Sequence, residues 1–329
     1  MKNLKKIVSI MLTLALLMSL VAVSHAEDKK IVIGIIQFAE HGSLENCREG
    51  FIEGLAEEGF VEGENIEIRF QNAEADTGIA AQIADQFAQS CQLICGIATP
   101  AAQAAYNVAE DKGIPVIYTA VSDPVAAQLA GADGTNPGQV TGTSDALPVE
   151  AQLKLIRAIM PEATKIGILH TTSETNSDST LALYRELAPQ YGFEIVDQGV
   201  SMGSDIPMAL DALLPQVDCT TNLTDNTVVQ NLPIVLEKSA EAGKPVFGSE
   251  IEQVASGCVA SEGIEYTELG RQTGRMAAKV LKGEAEASEI PYEIISNSYL
   301  YINEEALAAY GLALPEELTE RAIPVGAAE

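Results

Sequence analysis

Hydroxyl, amide and carboxylate side chains recur in short clusters along this chain, each placed after an apolar run. The clusters are Gln37 with His41; Thr99; Ser122 with Asp123; Ser173, Glu174, Asn176 and Ser177; Asp225 with Asn226; and Ser249 with Glu250. Hydroxyls beside helix N-terminal N–H groups suit a carboxylate. Carboxylates suit an ammonium. A ligand that carries both charges is an amino acid. Ser, Thr, Asp and Asn also favour helix caps and turns for local reasons, so no single residue carries this reading; the recurrence does. Enzyme signatures are missing: no G-x-S-x-G elbow, no G-x-x-x-x-G-K-[ST] phosphate loop and no G-x-G-x-x-G after the first strand. Of the three histidines, His25 falls in an N-terminal leader, leaving His41 and His170. His170 ends a strand and reads as a packed residue. The five cysteines, Cys47, Cys91, Cys95, Cys219 and Cys258, include no C-x-x-C pair and read as buried free thiols. That supply is too thin for a His/Cys zinc site. Neither cofactor nor metal is expected.

The elements that must position these clusters alternate. Residues 30–38 (KIVIGIIQF) form a continuous β-branched run, the pattern of a strand covered on both faces. Ser43 is expected to cap a helix with Leu44, Cys47, Phe51 and Leu55 on one face, ending at Gly59. Strands are expected over 65–70, 92–98 and 114–121. A helix from Asp76 or Thr77 separates the first two. A second helix, capped by Thr99 and opening on Pro100, separates the last two. The pattern then restarts: strands over 164–170, 193–197, 216–223 and 245–248, with helices from about 181, over 206–214 and over 228–242. A long helix over 266–281 and a strand over 293–302 follow. This order predicts two α/β units with mostly parallel, doubly wound sheets, the second starting near 144, and 140–146 reads as the link. In such sheets ligands bind at the carboxyl ends of the strands, which is where the polar clusters lie. The site is then a cleft fed by both halves.

Composition agrees with a large folded chain: 329 residues, 47% of them hydrophobic. The net charge is −28, which repels phosphate backbones and argues against nucleic acid as a partner. Lys2, Lys5 and Lys6 precede an apolar run over 7–23 and then Ser24-His25-Ala26. A basic start, apolar middle and A-x-A-like end mark a secretory signal peptide over 1–26, cleaved near Ala26. Its removal takes three lysines and no acid. No cysteine ends the apolar run, so no lipid anchor is expected. The protein is expected to be exported, either periplasmic or secreted.

Several stretches, taken in order, resemble ABC-transporter substrate-binding proteins of the tryptophan/tyrosine type, a branch of the type I periplasmic binding-protein fold. They include Gly34-Ile35-Ile36-Gln37, Glu40-His41, Ala98-Thr99-Pro100-Ala101, Val121-Ser122-Asp123-Pro124, Ser173-Glu174-Thr175-Asn176-Ser177, Thr224-Asp225-Asn226-Thr227 and Leu269-Gly270-Arg271-Gln272-Thr273-Gly274. The resemblance spans about residues 31–322. It implies two lobes, 27–143 plus 258–286 and 144–257 plus 287–329, joined by strands crossing near 143, 257 and 287. It also implies a monomer that closes on an amino-acid ligand and delivers it to a membrane ABC permease driven by a cytoplasmic ATPase. By analogy, Thr99 and Ser122 take the carboxylate and Asp225 or Glu250 the ammonium. Two departures bear on the ligand: Gly42 follows His41 where relatives often have Pro, and residues 219–223 lack the aromatic that relatives often carry there. A branched-chain amino acid or purine-like ligand therefore stays open beside an aromatic amino acid. A ligand-sensing module that presents its closed form to a membrane receptor is the alternative role.

Overall fold

The computed structural model describes residues 30–295 and 297–326. The signal-peptide reading lies outside them. The β-branched runs fold as three sheets. The first has six strands in the order β11-β5-β4-β3-β1-β2, all parallel: β1 (Ile31–Gln37), β2 (Ile66–Asn72), β3 (Leu93–Ile97), β4 (Val116–Thr119), β5 (Val140–Ser144) and β11 (Glu293–Ile294). The second is parallel in the order β7-β6-β8-β9: β6 (Lys165–Thr171), β7 (Glu194–Val200), β8 (Cys219–Thr221) and β9 (Val246–Phe247). The third joins β10 (Ala260–Gly263), β12 (Tyr299–Ile302) and β13 (Ala322–Pro324). Backbone bonds from Gly248 to Ala260 and from Val259 to Val246 attach it to the edge of the second sheet. The fold class is thus the expected α/β arrangement with parallel sheets.

β1 and β3 are buried along almost their whole length because helices cover both faces of the first sheet. Those helices include α1 (Gly42–Glu57), α2 (Thr77–Phe87), α3 (Thr99–Ala109) and the long α10 (Tyr266–Leu281). A core built from β1–β5 and these helices takes in Ile264 to Ala287. Two further apolar clusters fill the second body around α4 (Val149–Ile159), α5 (Thr175–Leu187), α6 (Ile206–Leu213) and the second sheet. Its remaining helices are α7 (Asn226–Gln230), α8 (Leu232–Glu241), α9 (Ile251–Ala255), α11 (Glu304–Ala309) and α12 (Glu316–Thr319).

α10 belongs to the first body because of glycines. Gly50 and Gly54 on α1 face Gly270 and Gly274 on α10. A Cβ at Gly50 would sit 2.0 Å from the Thr267 carbonyl oxygen, and one at Gly270 2.1 Å from that of Cys47. The two backbones touch, which only glycine permits.

Local details differ from the sequence expectation. Helix α1 starts at Gly42 with His41 at the N-cap, so Ser43 lies inside the first turn, buried, rather than capping it. Thr99 is the first residue of α3, after Ala98 in a positive-φ conformation (φ 77°). The expected helix over 228–242 is two helices broken at Asn231, because Pro233 has no N–H to continue the ladder. The expected strand over 293–302 splits into β11 and β12, which serve different sheets. The segment read as a link, 140–146, is largely strand β5 of the first sheet. All five cysteines are buried and free. His170 is packed against β7, its Nε2 3.4 Å from Asp197.

Candidate functional site

The carboxyl ends of the two parallel sheets face each other, and among the described residues three side-chain hydrogen bonds cross between them. Ser122 Oγ after β4 meets Thr224 Oγ1 after β8 at 2.9 Å. Asn46 Nδ2 on α1 donates to Glu252 Oε1 on α9 at 2.8 Å. His41 Nε2 lies 3.4 Å from Asn226 Oδ1. The Asn226 amide nitrogen donates to Glu174 at 2.6 Å. Its Oδ1 is therefore an acceptor, His41 Nε2 carries the proton and Nδ1 is left as an acceptor. Burial lowers the His41 pKa to about 4, so the ring is neutral.

On the second body the predicted residues bind chiefly one another. Asp225 caps α7 by accepting from Val228 N at 2.9 Å. It also accepts from Thr171 N and Oγ1 at 2.5 and 2.7 Å and from Ser177 Oγ at 2.6 Å. Both its oxygens are taken by the protein. Glu174 accepts from the backbone N–H and side chains of Asn226 and Thr227 and from Asn176 Nδ2. Burial, with the charge of Asp225 added, raises its pKa. Ser249 accepts from Gln253 Nε2 and donates to the Leu223 carbonyl. These residues build a rigid tip and present little free hydrogen-bonding capacity.

On the first body, Gln37 is internal: it donates to the Ala39 carbonyl and accepts from Arg48. Asp123 caps its own turn through Val125 N and Ala126 N. Thr99 is 1% exposed, and its Oγ1 has no partner. Ser173 is exposed and borders two adjoining open grooves, of about 660 and 450 Å³, which share Thr77 and Ser173 in their lining.

Between the bodies lies an inner cavity of about 20 Å³, room for about one water. Of the residues selected from the sequence, His41, Asn226 and Glu250 line it. So do Asp145, Thr224 and Tyr266, which the sequence analysis did not select. Asp145 directly follows β5, in the segment read as a link, and the strand-end rule applied there would have found it. Tyr266 Oη donates to Asp145 Oδ2 at 2.8 Å. Glu250 caps α9 through Glu252 N and Gln253 N at 2.6 and 3.0 Å. Burial pushes its pKa to about 7 and raises that of Asp145. The arrangement offers acceptors at its inner end and hydroxyls at its rim, and is suited to holding a small polar solute.

The comparisons agree with that geometry. A family model described as ABC transporter substrate binding protein matches residues 32–325. A protein named tyrosine-binding protein from Clostridioides difficile is 39% identical over 278 residues, which is 84% of this chain and 80% of that one. The crystal structure of an ABC domain in complex with L-Trp from Streptococcus pneumoniae superposes with a TM-score of 0.86 at 32% identity. It covers 90% of this chain and 100% of that one. The ligand-free, open structure of a substrate-binding protein with adhesive properties from Clostridium difficile gives 0.67 at 37% identity, covering 91% and 100%. The chain belongs to the ABC transporter substrate-binding protein family, whose members are binding proteins rather than enzymes.

Proposed function

We propose that this protein captures an aromatic amino acid, tyrosine or tryptophan, between two lobes outside the cytoplasm and delivers it as a monomer to an ABC permease driven by a cytoplasmic ATPase. The observation that carries this reading is the pair of superpositions. Similarity is higher to the L-Trp complex (0.86) than to the open, ligand-free relative (0.67), although sequence identity runs the other way. That inversion fits a rotation of two rigid bodies, and in this reading the present arrangement lies nearer the ligand-bound one. An inner cavity of about 20 Å³ is too small for a side chain such as tyrosine. In this reading the cavity is therefore larger when ligand is bound than it is here, and ligand enters with the lobes apart.

Among the described residues, in this reading the first lobe holds 30–143 with the segment from Ile264 through β11, and the second holds 144–263 with the residues after Ile294. The third passage lies after Ile294 rather than near 287, because β11 pairs with β5. Thr99 and Ser122 face the carboxylate. The ammonium is assigned to Glu250 rather than Asp225, because Asp225 accepts four hydrogen bonds and Glu250 two. A thermal-shift and calorimetry screen over aromatic and branched-chain amino acids and nucleosides tests this. At 100 times its dissociation constant a true ligand adds about 2.7 kcal/mol of stability. A response to a branched-chain amino acid or a nucleoside alone would refute the aromatic assignment.

A further inference from the structure

His41 stands at the end of a chain of hydrogen bonds that crosses between the bodies and leaves one acceptor unused. Glu174 is held by the backbone N–H groups of Asn226 and Thr227, and it fixes the Asn226 side chain by accepting from Nδ2 at 2.6 Å. Asn226 Oδ1 then faces His41 Nε2 at 3.4 Å, which places the ring proton on Nε2. Burial keeps the ring neutral, and a neutral imidazole with its proton on Nε2 carries a lone pair on Nδ1. That nitrogen is buried and has no partner among the described residues. His41 is the N-cap of α1, yet its ring caps nothing; the Leu44 and Glu45 N–H groups bond to its backbone carbonyl instead. The ring lines the inner cavity, where neighbouring donors are engaged elsewhere: Tyr266 Oη with Asp145, Gln253 Nε2 with Ser249, Asn226 Nδ2 with Glu174. An acceptor is thus fixed in position with no donor to fill it.

Resting on the binding function proposed above, we infer that His41 Nδ1 is a specificity-determining acceptor: it receives the donor on the ligand's ring, the phenol O–H of tyrosine or the indole N–H of tryptophan, and discriminates against a ring that has none. The two rings differ in shape but share a donor at the ring edge, so one acceptor serves both. Phenylalanine would leave Nδ1 buried and empty, which costs about 1–3 kcal/mol. Leu44 and Val229 on the same cavity wall give the ring apolar contact but cannot tell these ligands apart. His41 opens α1 on the first body, whereas Glu174 and Asn226 follow β6 and β8 on the second. The tautomer is therefore fixed from the opposite lobe, and the acceptor takes its final form as the lobes meet.

Calorimetry on the mature wild-type protein compares L-tyrosine with L-phenylalanine, and L-tryptophan with its benzothienyl isostere, in which sulfur replaces the indole N–H. Within each pair the donor-bearing ligand should bind about 30-fold more tightly. Equal affinity within both pairs overturns the inference and leaves the function standing. Two variants then separate the ring nitrogens. His41→Gln keeps an amide donor near the place of Nε2 and removes the Nδ1 acceptor, so the preference within each pair should vanish. His41→Asn keeps an acceptor near the place of Nδ1 and gives up the bond to Asn226, so all affinities should fall while the preference survives. A merely structural role for His41 would weaken all four ligands alike in both variants; that result overturns the inference. Binding of no aromatic amino acid at all overturns the function and this inference together.

Discussion

Asp225 and Glu250 share a residue class and a strand-end position, yet neighbouring donors assign them different work. Asp225 accepts four hydrogen bonds from its own lobe. Asp225→Ala leaves buried donors unpaired and should cost about 3 kcal/mol or more. Urea titration at unchanged m would show this, with ligand affinity falling only through lost structure. Glu250 has its pKa raised to about 7 from an ordinary 4.5 by burial. The folded state therefore prefers the neutral acid. The stability this contributes is complete below pH 4.5 and disappears as pH rises through about 7. It amounts to about 3 kcal/mol. Denaturation curves between pH 4.5 and 8 should lose this slope in Glu250→Gln. The strand-end clusters themselves were legible in the sequence. Which of their oxygens stay unoccupied was not, because that depends on partners 50 or more residues away, such as Thr171 for Asp225.

Helix α10 shows what one element adds. Its limits, 266–281, follow from its apolar periodicity, and the structure gives the same ones. Its attachment follows from four glycines that bring its backbone onto α1. Gly270→Ala would push a methyl into the Cys47 carbonyl and should cost about 2–4 kcal/mol. The ion pair at the helix rim, Lys282 with Glu58, is 34% and 37% exposed. Lys282→Ala should leave stability almost unchanged, because solvent screens an exposed pair. A common denaturant series for both variants would check this order; equal effects would mean that charges, rather than the glycine contact, hold α10 in place.

At the scale of the whole molecule, among the described residues, few side-chain hydrogen bonds cross between the two bodies: Ser122 with Thr224, Asn46 with Glu252 and His41 with Asn226. On the proposed function, few contacts suit a protein that must reopen, since each exposed or half-buried polar pair contributes only about 1 kcal/mol. Asn46→Ala removes one such contact remote from the inner cavity. It should weaken ligand binding about fivefold, chiefly through faster dissociation, without changing which ligand is preferred. Stopped-flow dissociation rates would show it. An altered ligand preference would place Asn46 in the binding site instead.

Local pattern sufficed for the α/β alternation, the parallel sheets, the strand ends that carry polar residues and the family resemblance. Strands covered on both faces and helices with one apolar face leave period-dependent signatures within a dozen residues. Tertiary structure alone decided that Asp145 and Tyr266 meet in the inner cavity and that Asp225 is saturated while Asp145 keeps a free oxygen. It also decided that the segment read as a linker is a strand of the first sheet. Those outcomes depend on which long-range donors arrive at each carboxylate and on how two bodies come together, and neither leaves a mark in neighbouring residues.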